Sequence, residues 1–310
     1  MKQYGLPYKG SKSTIAEQLI NVMPEAECFV DLFCGGCAMT HAAMLSGKYK
    51  RFIANDIDAG VPQLFLDAVH GKYSNETRWI SHEDFYALKD TDYYVKICWS
   101  FGNNGSNYLY SKKIEPWKKA LHYATVFEDY SELEKFGIYD LKLYGETIHD
   151  RRLNLKGKVK QEHIDKYWQW AKGEKIEFAE YSLQSLESLE RLERLERLES
   201  LTICRADYSA ITIPENSVIY CDIPYENTDD YNGVKFEHNR FKEWALKQQQ
   251  PIFISSYTMP EPFVSVFNTA KAQTLSPTKT NIITEHLYTT PRFANAAVNI
   301  QLDLFGEELS

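Results

Sequence analysis

The stretch Glu27 to Asp58, ECFVDLFCGGCAMTHAAMLSGKYKRFIANDID, limits the folds open to this chain more than any other. An apolar run from Glu27 to Cys34 passes through glycines into a helical stretch, and a second apolar run ends at Asn55-Asp56. That is a strand, loop, helix, strand order. Glycines in the first turn let backbone approach a ligand, the helix start faces it, and an acid closing the second strand suits ribose hydroxyls. The glycine pattern is not GxGxxG, so a dinucleotide fits less well than another nucleotide-like ligand.

After Asp56 the alternation stops for a long interval. Strand signals return near Leu201, where LTICRADY, SVIYCDIP, PIFISSY and TEHLYTTP follow in close succession, each apolar and rich in β-branched or aromatic residues. The economical architecture is one α/β sheet with helices on both faces, formed by residues 1–58 and 201–310, with an insertion at 59–200. By the strand-end rule for open α/β sheets, Asp56, Asp207 and Asp222 are expected along one edge. Within the insertion, Leu183 to Leu201 carries a Leu-Glu-Arg repeat. Its leucines spiral around a helix, while Glu187 with Arg191, Glu190 with Arg194 and Glu193 with Arg197 sit at i, i+4 spacing. A helical or irregular spacer is the main reading, and a partner-binding surface the other.

The 310 residues, 44% of them hydrophobic, suffice for one large core or two modest ones. No apolar run approaches the ~20 residues that span a bilayer, and the start MKQYGLPYKGSKSTIAEQ has no apolar leader region. A soluble, cytoplasmic protein with no membrane partner is the expectation. Six scattered cysteines are expected as reduced thiols. Cys34 and Cys37 make a CxxC with no second pair or histidine cluster at zinc-finger spacing, so no metal is expected. A net charge of -8 argues against nonspecific coating of nucleic acid. Two local basic runs remain as candidate phosphate contacts: Arg151 and Arg152 opening RRLNLKGKVK, and Lys112 and Lys113 in SKKIEPWKKALHY.

The segment YCDIPYENTDDYN, Tyr220 to Asn232, sets an acid, a proline and an aromatic residue directly after an apolar run. With PYKGSK at 7–12, DLFCGGC at 31–37, NDID at 55–58, ADY at 206–208 and DIPY at 222–225, the chain resembles the Dam-type DNA adenine N6-methyltransferases. The resemblance spans both ends of the sheet and is faint inside the insertion. It implies a Rossmann-like class I methyltransferase sheet, S-adenosylmethionine as methyl donor, double-stranded DNA as substrate, and an inserted target-recognition domain. Position by position it places Tyr8 and Lys12 at the methionine end of the donor, with Lys12 answering its carboxylate. Phe33 and Gly35 would shape the loop beneath, Asp56 would hold the ribose, and Asp207 would read the donor's adenine amine. Asp222, Ile223, Pro224 and Tyr225 take the place of a catalytic Asp-Pro-Pro-Tyr. Tyr231 and Asn232 lie in the following loop, where contact with a flipped nucleotide and plain solvation are both open.

The chain departs from the family at Cys37, where a second loop glycine is usual, and at Ile223, which replaces the first proline. Adenine N6 is a poor nucleophile because its lone pair is delocalised into the ring, so the site must supply acceptors that draw its hydrogens out of plane. A carboxylate and the main-chain carbonyl of residue 223 suffice, while Tyr225 would stack on the flipped base. Any residue keeps that carbonyl, and Pro224 biases Ile223 toward extended geometry. Rival readings are methyl transfer to an RNA base or a protein glutamine amide, an inactive DNA-binding relative, and an assembly protein working through the repeat. The oligomeric state stays open between monomer and weak dimer.

Overall fold

The computed structural model describes residues 4–8, 10–58, 60–172, 200–224, 236–276, 279–295 and 297. Their strands are β1 (Cys28–Asp31), β2 (Arg51–Asn55), β3 (Leu201–Cys204), β4 (Ser217–Asp222), β5 (Ile252–Ser256), β6 (Val264–Ser276) and β7 (Lys279–Thr289). Their helices are α1 (Ala16–Val22), α2 (Ala38–Ser46), α3 (Gly60–Val69), α4 (His82–Leu88), α5 (Tyr93–Cys98), α6 (Glu115–Val126), α7 (Ser131–Glu134), α8 (Ile148–Lys158), α9 (Gln161–Ala171) and α10 (His238–Leu246). No helix among the described residues is long and apolar enough to cross a membrane. All but the last two residues of the Leu-Glu-Arg repeat lie outside the described residues, as do Tyr225, Tyr231 and Asn232.

The strands form one sheet in the order β3-β2-β1-β4-β5-β7-β6. Neighbours from β3 to β5 are parallel, and β7 runs antiparallel to both β5 and β6. Strands covered on both faces read as unbroken apolar runs, and β1, β4 and β5 are buried along almost all their length. Successive residues then serve opposite cores. Phe29, Tyr220 and Phe253 pack with Leu19 and Ile20 of α1 and Met39 and Ala42 of α2. Val30, Ile219, Cys221 and Ile254 pack with Phe241 and Ala245 of α10. The result is the expected α/β sheet with helices on both faces. Strand order reverses direction between β1 and β4, which opens a crevice outside the carboxyl ends of those strands.

The chain divides into two compact units, one from 1–6, 10–70 and 194–310, the other from 7–9 and 71–193. The first holds the sheet. It also keeps α3, because Val61, Leu64, Phe65 and Ala68 are buried and the Phe65 ring meets His41 of α2. The second unit is helical and has its own core, built on Trp117, Leu121, Leu133, Leu155 and Tyr167. Helices α4 and α8 each begin with a capping box, Ser81 with Asp84 and Thr147 with Asp150.

The N-terminal segment straps the glycine loop. Leu6 N–H donates to Gly36 O at 2.7 Å, and Gly5 N–H donates to Nδ1 of the buried His41 at 2.9 Å. Gly5 adopts φ +67°, and a Cβ there would lie 2.4 Å from Gly36 O and 2.6 Å from Ala38 N. Gly5→Ala is expected to lower stability by more than about 1–2 kcal/mol, the left-handed cost alone. A reduced urea midpoint at unchanged slope is the readout.

Candidate active site

Four carboxylates gather at the carboxyl ends of the strands beside the switch point. Asp31 ends β1, Asp222 ends β4, Asp56 follows β2 directly, and Glu285 lies on β7. A buried charge is costly unless paired, and the partner here is Lys12. Its ammonium stands 2.7 Å from both Oδ1 and Oδ2 of Asp222 and 3.0 Å from Oε1 of Glu285, with only 4% of the side chain exposed. Burial alone would lower the Lys12 pKa, but the Asp222 and Glu285 charges outweigh it and hold it above the usual lysine value. Lys12 is therefore a cation facing the carboxylates of Asp222 and Glu285.

Asp31 is wholly buried. Its Oδ2 accepts from Thr40 N–H at 3.2 Å and from Thr40 Oγ1 at 2.8 Å, while Oδ1 has no hydrogen-bond partner. Burial pushes its pKa up to about 7, and Asp222 and Asp56 add to the rise against the Thr40 bonds. Asp56 accepts from Gly35 N–H on Oδ2 and from Asp58 N–H on Oδ1, each at 2.9 Å. Burial raises its pKa and the backbone amides oppose that. The glycine loop and the ribose-acid candidate are thus one hydrogen-bonded piece. Asn55 extends it: Nδ2 donates to Leu32 O and Ala206 O, and Oδ1 accepts from Ala206 N–H. One side chain binds the turns after β1, β2 and β3.

Asp207 caps a short 3-10 turn, Tyr208–Ala210, and is gripped by Arg240 of α10. Nη1 donates to Oδ2 at 3.0 Å and Nη2 to Oδ1 at 2.8 Å, with Ser209 N–H also on Oδ1. Burial would raise this carboxyl, but the Ser209 and Arg240 bonds bring it below the ordinary aspartate value. The Arg240 guanidinium also lies over the Tyr208 ring, which meets Phe33 at 5.5 Å. Phe33 further touches Phe241 and Phe236, an aromatic wall beside the loop.

Among the sequence candidates, the structure brings Lys12 onto Asp222 and Gly35 onto Asp56, and sets Phe33 against the residue next to Asp207. Ile223 is buried in the core with Phe241 and Phe263, and Pro224 is half-buried beside it. Tyr8 is half-buried in the segment that groups with the second unit. Cys37 takes φ +58° at the head of α2, the left-handed geometry that glycine adopts without strain. Lys112 and Lys113 are exposed.

The expectation for Arg151 and Arg152 needs correction, because neither forms an exposed phosphate-facing strip. Both are buried, at 7% and 3% exposure. Arg151 Nε donates to Thr125 O at 2.7 Å and Nη2 reaches Val126 O, so its guanidinium satisfies carbonyls at the end of α6. The basic run on α8 was read without the helix end that it caps.

Sequence reasoning assigned no role to Asp31, Asn55, Arg240 or Glu285. Asp31 and Asn55 sit inside motifs that were recognised, and their place at strand ends was the available signal. Among the described residues, Asp140, Glu162 and His163 of the second unit group as possible metal donors. Both His163 nitrogens are already engaged, Nε2 with Asp140 and Nδ1 accepting from Lys160 N–H.

A family model for the D12 class N6 adenine-specific DNA methyltransferases matches residues 8–248, more than half of the chain. No curated protein matches.

Asp31 gives the site a pH signature. Its carboxyl holds a proton up to about pH 7 in the folded chain but ionises near 3.8 in the unfolded one. Between those values the folded state binds the extra proton, so the contribution of Asp31 to stability is fully present below about pH 4 and is lost as pH rises through about 7. Asp31→Asn, which cannot ionise, is expected to flatten this contribution. Urea midpoints taken from pH 4 to 8 for both proteins measure it, and identical slopes would remove Asp31 as the cause.

Proposed function

The chain belongs to the D12 class of N6 adenine-specific DNA methyltransferases, and from that premise we propose that it methylates an adenine flipped out of duplex DNA, using S-adenosylmethionine. The observation that carries the assignment of roles is the Asp222 carboxylate at the end of β4, held through both oxygens by a buried ammonium beside the switch point. Each carboxylate oxygen has two acceptor positions, so Asp222 can serve Lys12 and still accept from an amine.

The donor set suits a cationic ligand. Asp222 and Glu285 share one lysine, Asp56 lies at the same strand ends, and Asp31 Oδ1 is a buried acceptor without a hydrogen-bond donor. A sulfonium offsets that excess of negative charge. When bound, S-adenosylmethionine supplies an electrophilic methyl group on sulfur. Asp56, fixed by Gly35 and Asp58, would accept from ribose hydroxyls. Asp207 keeps acceptor capacity on Oδ2 for the adenine amine while Arg240 fixes its plane, and Phe33 lines the adjoining wall. With Lys12 committed to two carboxylates, its reading as the partner of the donor's carboxylate gives way to one in which it holds Asp222.

For the target base, Asp222 and the Ile223 carbonyl accept the two N6 hydrogens and draw the nitrogen lone pair out of the ring. Transfer would form the N–C bond as the donor's S–C bond breaks, and the Asp222 carboxylate would take the proton shed by N6. Tyr225 is assigned the stacking role on the flipped base. Positioning supplies most of the acceleration. Residues 71–193 are read as the target-recognition part, where the exposed Lys112 and Lys113 are the candidate phosphate contacts.

The test is methyl incorporation from labelled S-adenosylmethionine into mixed-sequence duplex DNA, followed by digestion to nucleosides. N6-methyladenine is the expected product, and its absence from folded protein that binds S-adenosylmethionine would overturn the reading. Asp222→Ala is expected to reduce turnover by about 10²–10³-fold or more, the effect of losing one preorganised transition-state contact. Binding of S-adenosylmethionine should survive, and wild-type-like turnover would remove Asp222 from the mechanism.

A further inference from the structure

Glu285 is a carboxylate buried in the interior of the sheet unit. It sits on β7, one residue before the His286–Ser256 pair that closes the β5–β7 ladder, and faces Thr269 of β6. Only 3% of its side chain is exposed. A strand position of that burial ordinarily carries an apolar residue, because an ionised acid there pays a large desolvation cost unless it has a charged partner. Its partner is the Lys12 ammonium at 3.0 Å, which also stands 2.7 Å from both oxygens of Asp222.

A cation shared by two acids acts differently from one paired with a single acid. Lys12 against Asp222 alone would form a neutral contact pair, and its ammonium would take up much of the acceptor strength that Asp222 needs for an amine. The second carboxylate, Glu285, shares the ammonium through a 3.0 Å contact, beside the 2.7 Å contacts to Asp222. The cluster keeps a net negative charge, and the lysine is fixed from two directions rather than following Asp222. The rise of the Lys12 pKa has both acids among its causes. The surrounding side chains register the same field: the phenols of Tyr220, on β4, and Tyr257, just beyond β5, both feel Asp222 and Glu285 as well as burial.

We infer that Glu285 is a positioning residue for methyl transfer, keeping the Lys12 ammonium charged and fixed against Asp222, the residue assigned as acceptor for the target amine. The inference rests on the reading of Asp222 as that acceptor. On this inference Glu285 acts through Lys12 and not directly on either substrate. A purely structural role, strapping β7 to the N-terminal segment, would appear in stability and leave turnover of the folded protein unchanged.

The experiment compares Glu285→Gln, Lys12→Met, the double variant and Asp222→Ala in one single-turnover methylation assay on duplex DNA, with S-adenosylmethionine and DNA affinities measured separately. Glu285→Gln keeps the shape and removes the charge. Its methyl-transfer rate is expected to fall about tenfold or more, the range of one lost charge-assisted contact, while both affinities stay within about threefold. The double variant should be no slower than Lys12→Met alone, because the two residues act as one unit. Should Glu285→Gln not fold, Glu285→Asp, which retracts the carboxylate by one methylene, is expected to show a smaller rate loss of the same kind. A wild-type rate in whichever folded Glu285 variant is obtained, or independent multiplication of the Glu285 and Lys12 losses, would overturn the inference. An active Asp222→Ala would instead sink the underlying reading, so the two failures are distinguishable.

Discussion

The Lys12 ammonium, buried between Asp222 and Glu285, is the interaction on which the site depends. It joins three parts of the chain that are remote in sequence: the N-terminal segment, the end of β4 and the antiparallel strand β7. Neither Lys12 nor Glu285 is tolerable as a lone charge at its depth. An isolated ammonium would lose its proton and an isolated carboxylate would gain one. Together they form a cluster with fixed geometry, and removing Lys12 takes from both carboxylates the cation they share, the costly case for buried ion pairs. The fold must bring residues 12, 222 and 285 to one point before any of them is stable there. The N-terminal strap at Gly5 and Leu6, which fixes the segment against the glycine loop, is part of the same requirement.

The electrostatics of the two units follow different needs. The strand ends concentrate acids, which suits a cationic methyl donor and a neutral amine acceptor but opposes polyanionic DNA. A chain of net charge -8 that acts on DNA must therefore confine its phosphate contacts to particular cations. Arg151 is not one of them, since its guanidinium is spent on carbonyls at the end of α6. Lys118 lies buried against the Tyr110 ring, and burial lowers its pKa. Exposed lysines such as Lys112 and Lys113 remain better suited, and their spread explains how weak a signal a basic run gives when its setting is unknown.

The sheet was legible in the sequence wherever burial on both faces writes an unbroken apolar run, as in β1, β4 and β5. It was not legible in β6, VSVFNTAKAQTLS, where an edge strand mixes polar and apolar residues and pairs only with β7. Asp56, Asp207 and Asp222 could be placed by a topological rule, since acids at the ends of parallel strands share an edge whatever their separation in sequence. Glu285 could not. It lies on an antiparallel strand outside that rule, in the run TEHLYTT, which signals a strand but not what its acid meets. Its burial is a consequence of the lysine it meets, 273 positions away in the chain, and no local pattern carries that. Arg240 escaped for a similar reason, because a helix residue paired with Asp207 looks like any surface arginine.

The two departures from the family pattern, Cys37 and Ile223, fall where the backbone rather than the side chain is required. Cys37 holds the left-handed geometry at the head of α2 that glycine would adopt freely, at a cost of about 1–2 kcal/mol. Its compensation is local: the residue is fully buried, and its amide donates to Cys34 O at 2.6 Å, closing the turn. Ile223 loses the ring that would stiffen a proline at that position, yet its side chain enters the core beside Phe241 and Phe263. Packing then restrains the same backbone that a ring would have restrained, and Pro224 restricts it from the other side. On the proposed mechanism position 223 contributes only its carbonyl, so the relevant quantity is how firmly the backbone is held. A buried isoleucine anchored in the sheet's own core supplies that restraint by a different route.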